Sequence, residues 1–331
     1  MTQPAPSARS KSDITVRALA ETDLPAADHI MRVAFGTFLG MPDPTAFAGD
    51  ASYVRTRWLA DPAAAFGAEI DGALAGSNFA TNWGSVGFFG PLTIRPDVWD
   101  RGVGKRLMEP IVECFTRWGT AHAGLFTFSH SQKHVGLYQR YGFWPRFLTA
   151  IMSKEVERPV LAPAQPSRSS QWTRFSEVKE ADRETTLRAC RELTGEIFDG
   201  LDVSREINAV ASQKLGDTVL LWGDAGLVGL AVCHIGPGSE AGSGICYVKF
   251  GAVRPGAAAA ANFTRLLRAC EEIAARSDAV RLFTGANMAR HEAYRALLEH
   301  NFRTEFQGVA MHRPNEPGYN RPGVYLLDDW R

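Results

Sequence analysis

The sequence LTIRPDVWDRGVGKRL, residues 92–107, carries the clearest signal for fold and function in this chain. Its apolar start predicts a strand, a loop with Gly102 and Gly104 follows, and apolar periodicity after the loop predicts a helix. Glycines let main-chain N–H groups approach an anion, and a helix N-terminus adds partial positive charge. Formal positive charge comes from three side chains, Arg101, Lys105 and Arg106. The segment therefore predicts a pyrophosphate cradle.

Composition narrows the class of protein. The 331 residues include 36 Lys plus Arg and 36 Asp plus Glu, so the formal net charge is zero. No overall positive field would hold nucleic acid or an anionic membrane. No apolar run has the length of a membrane span, and residues 1–12 have no apolar signal-peptide core. We expect a soluble, cytoplasmic protein with a disordered tail at 1–12.

The five cysteines are scattered among apolar residues and form no C-x-x-C pair. This pattern is typical of small core side chains in a reducing compartment, and the spacing predicts no metal site.

A stretch rich in Pro, Ala and Ser, residues 155–171, divides the chain nearly in half and predicts a linker. Similar features recur on its two sides at a constant separation of 159 residues: Asp23 and Asp182, Arg95–Pro96 and Arg254–Pro255, Phe143 and Phe302. The recurrence predicts one fold used twice, in domains at 13–154 and 172–331.

The order of elements predicted for the first copy is β-α-β-β-β-α-β-α-β, an α/β fold. Strands are predicted at 14–16, 66–70, 74–80, 88–94, 124–128 and 148–153, and helices at 24–35, 102–116 and 131–141. Asp71–Gly72 predicts a tight turn between two of the strands.

The segment at 92–107 resembles the acyl-CoA-binding motif of the GNAT superfamily of N-acetyltransferases. Gly102 and Gly104 match the glycines of that motif, whereas Trp99 stands where the family usually has Gln or Arg. A second stretch, HSQKHVGLYQRYGF at 130–143, resembles the family's later helix motif. The matching positions there are Leu137, Tyr138, Gly142 and Phe143, with Ser131 where Asn is frequent.

The resemblance implies two tandem GNAT-like domains, each a mixed, mostly antiparallel twisted sheet flanked by helices. It implies acetyl transfer from acetyl-CoA to an amine by direct attack in a ternary complex. The cofactor-binding positions are then Leu92, Thr93, Ile94, Asp100, Arg101, Gly102, Val103, Gly104, Lys105, Arg106, Ser131 and His134.

Tyr138 matches the family's usual general acid. A phenol stays protonated near neutral pH and can donate to a departing thiolate, although Tyr138 could equally be a helix tyrosine packed under Phe143. His130 is a candidate base, because His130, His134 and Tyr138 follow one another at intervals of four and could share a helix face. Glu69 or a relayed water is an equal alternative, and His134 could instead cap the helix or touch the cofactor.

The second copy departs from the motif. At the 159-residue separation Ala261 and Phe263 replace the glycines Gly102 and Gly104, and Ala260 and Thr264 replace the cations Arg101 and Lys105. Leu297 replaces Tyr138. A phenylalanine would crowd an incoming pyrophosphate, so this copy is predicted to have lost its cofactor site and to shape the acceptor pocket.

Two other functions remain open: a non-catalytic acyl-CoA-binding regulator and a purely structural pseudoenzyme. Four aromatic residues either line an apolar acceptor pocket or belong to the core: Phe79, Trp83, Phe88 and Phe89. Near the end of the chain, 325–327 could add an edge strand or belong to a packed extension. The sequence does not identify the length of the acyl chain, the acceptor (a small-molecule or peptide amine, or an oxygen nucleophile), or the oligomeric state.

Overall fold

A computed structural model describes residues 13–157 and 172–331 of the chain. The tail predicted at 1–12 and most of the predicted linker, 158–171, lie outside the described residues. In the first half the strands are β1 (Ile14–Ala18), β2 (Ala65–Ile70), β3 (Ala73–Trp83), β4 (Val86–Phe89), β5 (Thr93–Ile94), β6 (His122–Thr127) and β7 (Trp144–Glu155). The helices are α1 (Leu24–Phe38), α2 (Val54–Ala60), α3 (Val103–Trp118) and α4 (Gln132–Gln139).

The second half repeats this order. Its strands are β8 (Trp172–Arg174), β9 (Gly216–Gly223), β10 (Gly226–Gly236), β11 (Gly242–Val253), β12 (Arg281–Asn287), β13 (Arg303–Arg313) and β14 (Leu326–Leu327). Its helices are α5 (Arg183–Ile197), α6 (Ser204–Gln213), α7 (Ala259–Arg276) and α8 (His291–Glu299).

The strands of both halves form one 14-stranded sheet, in the order β1-β2-β3-β4-β6-β13-β7-β12-β11-β10-β9-β8, with β5 beside β3 and β14 beside β11. Two pairs are parallel, β4 with β6 and β11 with β12, and the other named pairs are antiparallel. The expected fold class, a mixed and mostly antiparallel sheet flanked by helices, is confirmed.

The two halves exchange strands. β13 of the second half lies between β6 and β7 of the first, and β7 in turn pairs with β12. Because each half completes the other's sheet, the domain boundary predicted between 154 and 172 stays a prediction.

The repeat is visible in the strand register. In the first half Val86 pairs with His122, and in the second half Ile245 pairs with Arg281, so both partners are shifted by the same 159 residues. The separation is shorter in the middle of each half, where α6 begins 150 residues after α2. The two copies therefore differ in chain length both before their second strands and between their third and fourth strands.

Two features of the first half differ from the sequence prediction. α2 was not predicted, because its buried face carries the polar residues Thr56 and Arg57 beside Val54. The strand predicted at 88–94 is two strands, β4 and β5, separated at Gly90–Pro91. Gly90 has φ of +145°, a region open mainly to glycine, so the chain bends there instead of continuing the strand.

The four aromatic residues left open by the sequence belong to the core. Phe79, Trp83, Phe88 and Phe89 are each 3% exposed or less and lie in hydrophobic clusters. The five cysteines are buried and free, as expected for core side chains. Within the described residues, no helix combines the length and apolar character that a membrane span requires.

Candidate functional site

A cleft opens in the sheet where β4 leads into β5. The parallel pairing of β4 with β6 ends at Phe88 and Gly124, and β5 then pairs with β3 only. Leu92, Thr93 and Ile94, predicted to hold the cofactor, therefore form one wall of a cleft whose other wall is the end of β6. Thr93 is 3% exposed, and its hydroxyl has no hydrogen-bond partner in the described part of the chain.

The start of α3 lies at the mouth of this cleft. Gly102 is the residue before the helix, with φ of +89° and open space where a Cβ would be. Gly104 is needed for a different reason, because its Cβ would lie 3.0 Å from Ile94 Cδ1 and 3.3 Å from Leu137 Cδ2. Among the described residues, the N–H groups of Gly102, Val103 and Gly104 have no main-chain acceptor. Three free N–H donors at a helix start can hold an anion.

The charged residues of the loop differ in their availability. Arg101, Lys105 and Arg106 are all exposed. Arg106 forms an ion pair with Glu109 at 2.6 Å, and Asp100 forms one with Lys133 at 2.7 Å. Within the part of the chain that the structure describes, Arg101 and Lys105 have no acidic partner. These two cations remain available for a phosphate.

Trp99, which departs from the family motif, folds back onto the cleft wall. Its indole N–H donates to the carbonyl oxygen of Ile94 at 2.7 Å, and Lys133 lies over its ring at 5.7 Å. Trp99 therefore fixes the loop to the end of β5 and leaves the N–H groups of the loop free.

Tyr138 lies on α4, 7% exposed, with its ring 5.5 Å from that of Phe89 in a T-shaped contact. Its hydroxyl has no hydrogen-bond partner among the described residues. Burial raises the pKa of Tyr138 well above its usual value, so the phenol is protonated throughout the neutral range. Packing and proton donation are thus compatible at this position.

The histidines are placed differently from Tyr138. His130 is exposed and precedes α4, next to Ser131 at the start of the helix. The rings of His130 and His134 both pack near Phe38, at 5.9 and 5.0 Å. Burial, with smaller contributions from Lys133 and His130, lowers the pKa of His134.

The remaining predicted residues have visible local roles. Ser131 caps α4, because its side chain accepts from the N–H of His134 at 3.4 Å. Glu69, the alternative base, is bound to Arg17 at 2.5 Å. Because the Glu69 carboxylate is already occupied by Arg17, this placement favours His130 or a relayed water.

The second half contains the same cleft, but the chain itself fills it. Pairing of β11 with β12 ends at Val248 and Thr284, and β14 then pairs with Gly251 and Ala252, the counterparts of Leu92 and Thr93. On one side the N–H of Val253 donates to the carbonyl of Tyr325, and on the other the N–H of Asp328 donates to that of Gly285. The 324–331 segment thus joins both walls.

In the second cleft, side chains of the 324–331 segment contact the residues that are equivalent to those around the first cleft. Tyr325 lies 5.3 Å from Phe263, the counterpart of Gly104. Asp328 forms a buried ion pair at 2.7 Å with Arg290, the counterpart of Ser131. Phe263 is fully buried, so the obstacle to a ligand is the segment that packs on it. The edge strand expected at 325–327 is found, at Leu326–Leu327, inside the cleft and not at an edge.

A sheet that splays between two parallel strands, with a glycine-bearing helix start at the mouth, is the arrangement expected from the resemblance to acyl-CoA-binding acetyltransferases. Residues 32–143 match the family model described as Acetyltransferase (GNAT) family. The matched stretch contains the first cleft, its glycine loop and Tyr138, and the chain as a whole has the fold of a tandem GNAT protein. The comparison with curated proteins found no match.

Solved structures share this architecture over nearly the whole chain. A putative acetyltransferase from Pyrococcus horikoshii has a TM-score of 0.64 at 13% identity, covering 98% of this chain and 97% of that one. A GCN5-related N-acetyltransferase from Sphaerobacter thermophilus has a TM-score of 0.55 at 18% identity, with coverages of 94% and 97%. A tandem GNAT protein from the clavulanic acid biosynthesis pathway has a TM-score of 0.51 at 10% identity, with coverages of 91% and 98%.

Proposed function

We propose that the protein transfers an acetyl group from acetyl-CoA to an amine of a small molecule or peptide, using a cofactor site in the first half only. The observation that carries this proposal is the contrast between two equivalent clefts. Within the described residues, the first has free N–H donors and two cations without an acidic partner at its mouth, whereas the second is filled by the 324–331 segment. One acetyl-CoA should therefore bind to each chain.

The binding roles follow from the geometry of the first cleft. The main chain of Leu92–Ile94 is suited to pair with the pantetheine arm and to donate an N–H to the thioester oxygen as charge develops there. The N–H groups of Gly102–Gly104 hold the pyrophosphate, and Arg101 and Lys105 add charge. Ser131 and His134 border the same mouth from α4.

The reaction is direct attack in a ternary complex. The amine lone pair attacks the thioester carbon, the C–S bond breaks, and the amine proton passes to a base. Tyr138 donates its phenolic proton to the departing thiolate and is reprotonated from solvent. We assign the base to His130 or to a water relayed to it, because Glu69 is held by Arg17.

Coenzyme A chemistry and free cysteines both suit the cytoplasm, and we propose that location for the protein.

Calorimetric titration of the purified chain with acetyl-CoA, followed by acetyl transfer to a panel of amines, tests the proposal. We expect one site per chain and turnover of at least one class of amine. Absence of binding would contradict the proposal altogether. One-site binding with no turnover across the panel would favour a non-catalytic acyl-CoA-binding regulator, a function consistent with the absence of a hydrogen-bond partner for the Tyr138 hydroxyl among the described residues.

A further inference from the structure

A cluster of buried charges lies where the two halves meet. Arg57 on α2 has a side chain only 3% exposed, and Glu240 between β10 and β11 has one that is fully buried. The Nε and Nη2 atoms of Arg57 each donate to a different carboxylate oxygen of Glu240, both at 3.0 Å. This two-pronged contact fixes the plane of the guanidinium as well as its position.

The third nitrogen of Arg57 points at the cleft of the first half. Nη1 donates to the carbonyl oxygen of Gly90 at 2.6 Å. Gly90 is the bend between β4 and β5: it follows Phe89, whose ring touches Tyr138, and it stands two residues before Leu92. Its own N–H donates to the carbonyl of Phe79 at 2.9 Å. Both polar groups of Gly90 are therefore held, one by the sheet and the other by Arg57.

The anchor of Arg57 belongs to the second half. Glu240 also accepts from Lys249 at 2.9 Å, and Lys249 reaches Glu206 at the same distance. Burial by itself would raise the pKa of Glu240, but the charges of Arg57 and Lys249 outweigh it and hold the pKa well below its usual range. The main-chain oxygen of Arg331, in the 324–331 segment, accepts from Arg57 as well. The Arg57 guanidinium is thus held by Glu240 and Arg331 of the second half and donates its remaining hydrogen bond to Gly90 of the first half.

We propose that Arg57 is a positioning residue for the acetyl transfer: anchored by Glu240, it orients the Gly90 carbonyl and with it the start of the Leu92–Ile94 wall. The inference rests on the proposed function of that wall. It gives the second half, whose own cleft is filled, a part in the reaction of the first.

The test is Arg57→Lys in the full chain. Lysine keeps the positive charge opposite Glu240, but its single ammonium group cannot donate two hydrogen bonds to the carboxylate and a third to the Gly90 carbonyl in the same geometry. Small misplacements of reacting groups are costly, so we expect kcat to fall by about 10- to 100-fold. The Kd for acetyl-CoA should change less than kcat, because the phosphate cradle at Gly102–Gly104 keeps its contacts and only the pantetheine contacts along Leu92–Ile94 would shift.

Two further variants separate positioning from stability. Glu240→Gln keeps the shape of the anchor and weakens its charge, so kcat should fall by less than in Arg57→Lys. Arg290→Lys removes a fully buried guanidinium that is ion-paired with Asp328 in the second half, and should lower the melting temperature with kcat unchanged. The measurements are kcat, KM and Kd beside thermal unfolding of each variant.

The outcomes are distinct. If Arg57→Lys and Glu240→Gln turn over like the wild type, or if Arg290→Lys loses as much kcat as Arg57→Lys, Arg57 has only a structural role and the inference is wrong. Should Arg57→Lys not fold, Glu240→Gln against Arg290→Lys decides the matter. If wild-type protein neither binds acetyl-CoA nor acetylates an amine, it is the proposed function that has failed.

Discussion

The sharpest prediction concerns the two glycines at the ends of α3. Gly102 precedes the helix with φ of +89°, and Gly119 follows it with φ of +65°. A Cβ at either position would meet nothing within 4 Å. Alanine in the left-handed region costs roughly 1–2 kcal/mol, so Gly102→Ala and Gly119→Ala should lose similar stability. For a chain of this size that corresponds to a lowering of the melting temperature by about 2–4 °C or less.

Binding of acetyl-CoA should separate the two variants. The new methyl of Gly102→Ala enters the space in front of the free N–H groups, and relief of its strain would turn those groups away. Loss of one hydrogen bond to a charged phosphate corresponds to about 1.5–3 kcal/mol, or about a 10- to 150-fold rise in Kd. Gly119 lies at the other end of a 16-residue helix, about 24 Å away, so its variant should bind like the wild type.

Calorimetric titration gives the Kd for acetyl-CoA and thermal unfolding gives the melting temperature, and both are measured for the two variants in one buffer. The reasoning would be refuted by wild-type affinity in Gly102→Ala. It would also be refuted by equal losses of affinity in the two variants, because the loss would then follow stability and not the cradle.

Three further predictions follow from the structure. Tyr138→Phe should lower kcat by about 100-fold with unchanged acetyl-CoA affinity, measured by initial rates; an unchanged rate would favour the regulator. Leu327→Asp, which buries a charge in the filled cleft, should lower the free energy of unfolding in urea by about 3 kcal/mol or more, whereas Leu298→Asp, at a 38% exposed position, should change it little. Burial lowers the pKa of His122 to about 3 and that of His312 to about 4, so both bind protons more readily when unfolded. The free energy of unfolding should therefore be unaffected by these histidines above pH 6.5 and should fall below it, by about 2 kcal/mol for each histidine at pH 5. Urea unfolding measured as a function of pH would detect this fall.

The repeat could be predicted from a few residues because the connections around them have equal length in both copies. Where that length changes, the prediction fails, as in the segment before the second strand of each half. The glycine loop was predicted for the right local reason: Gly102 adopts a conformation that other residues avoid. The counterpart stretch of the second half, 257–261, consists of alanines, which favour helix, and α7 begins within it at Ala259.

α2 shows why other elements could not be predicted. Apolar periodicity reports a buried face only where the buried residues are apolar. Arg57 is buried on α2 because a carboxylate 183 residues further along the chain satisfies it. No local sequence pattern reveals the Arg57–Glu240 pair. Neither α2 nor the hydrogen bond from Arg57 to Gly90 could therefore be predicted from the sequence.

Strand exchange escapes prediction for a related reason. The pattern of β7 or β13 indicates which face is buried but not which strand lies alongside. The structure sets β13 against β6, so the second wall of the first cleft is supported by the second half. The second half can therefore lose its glycines, its loop cations and its tyrosine without becoming dispensable. What the first half takes from it is a neighbouring strand and a buried carboxylate, and neither depends on a phosphate cradle.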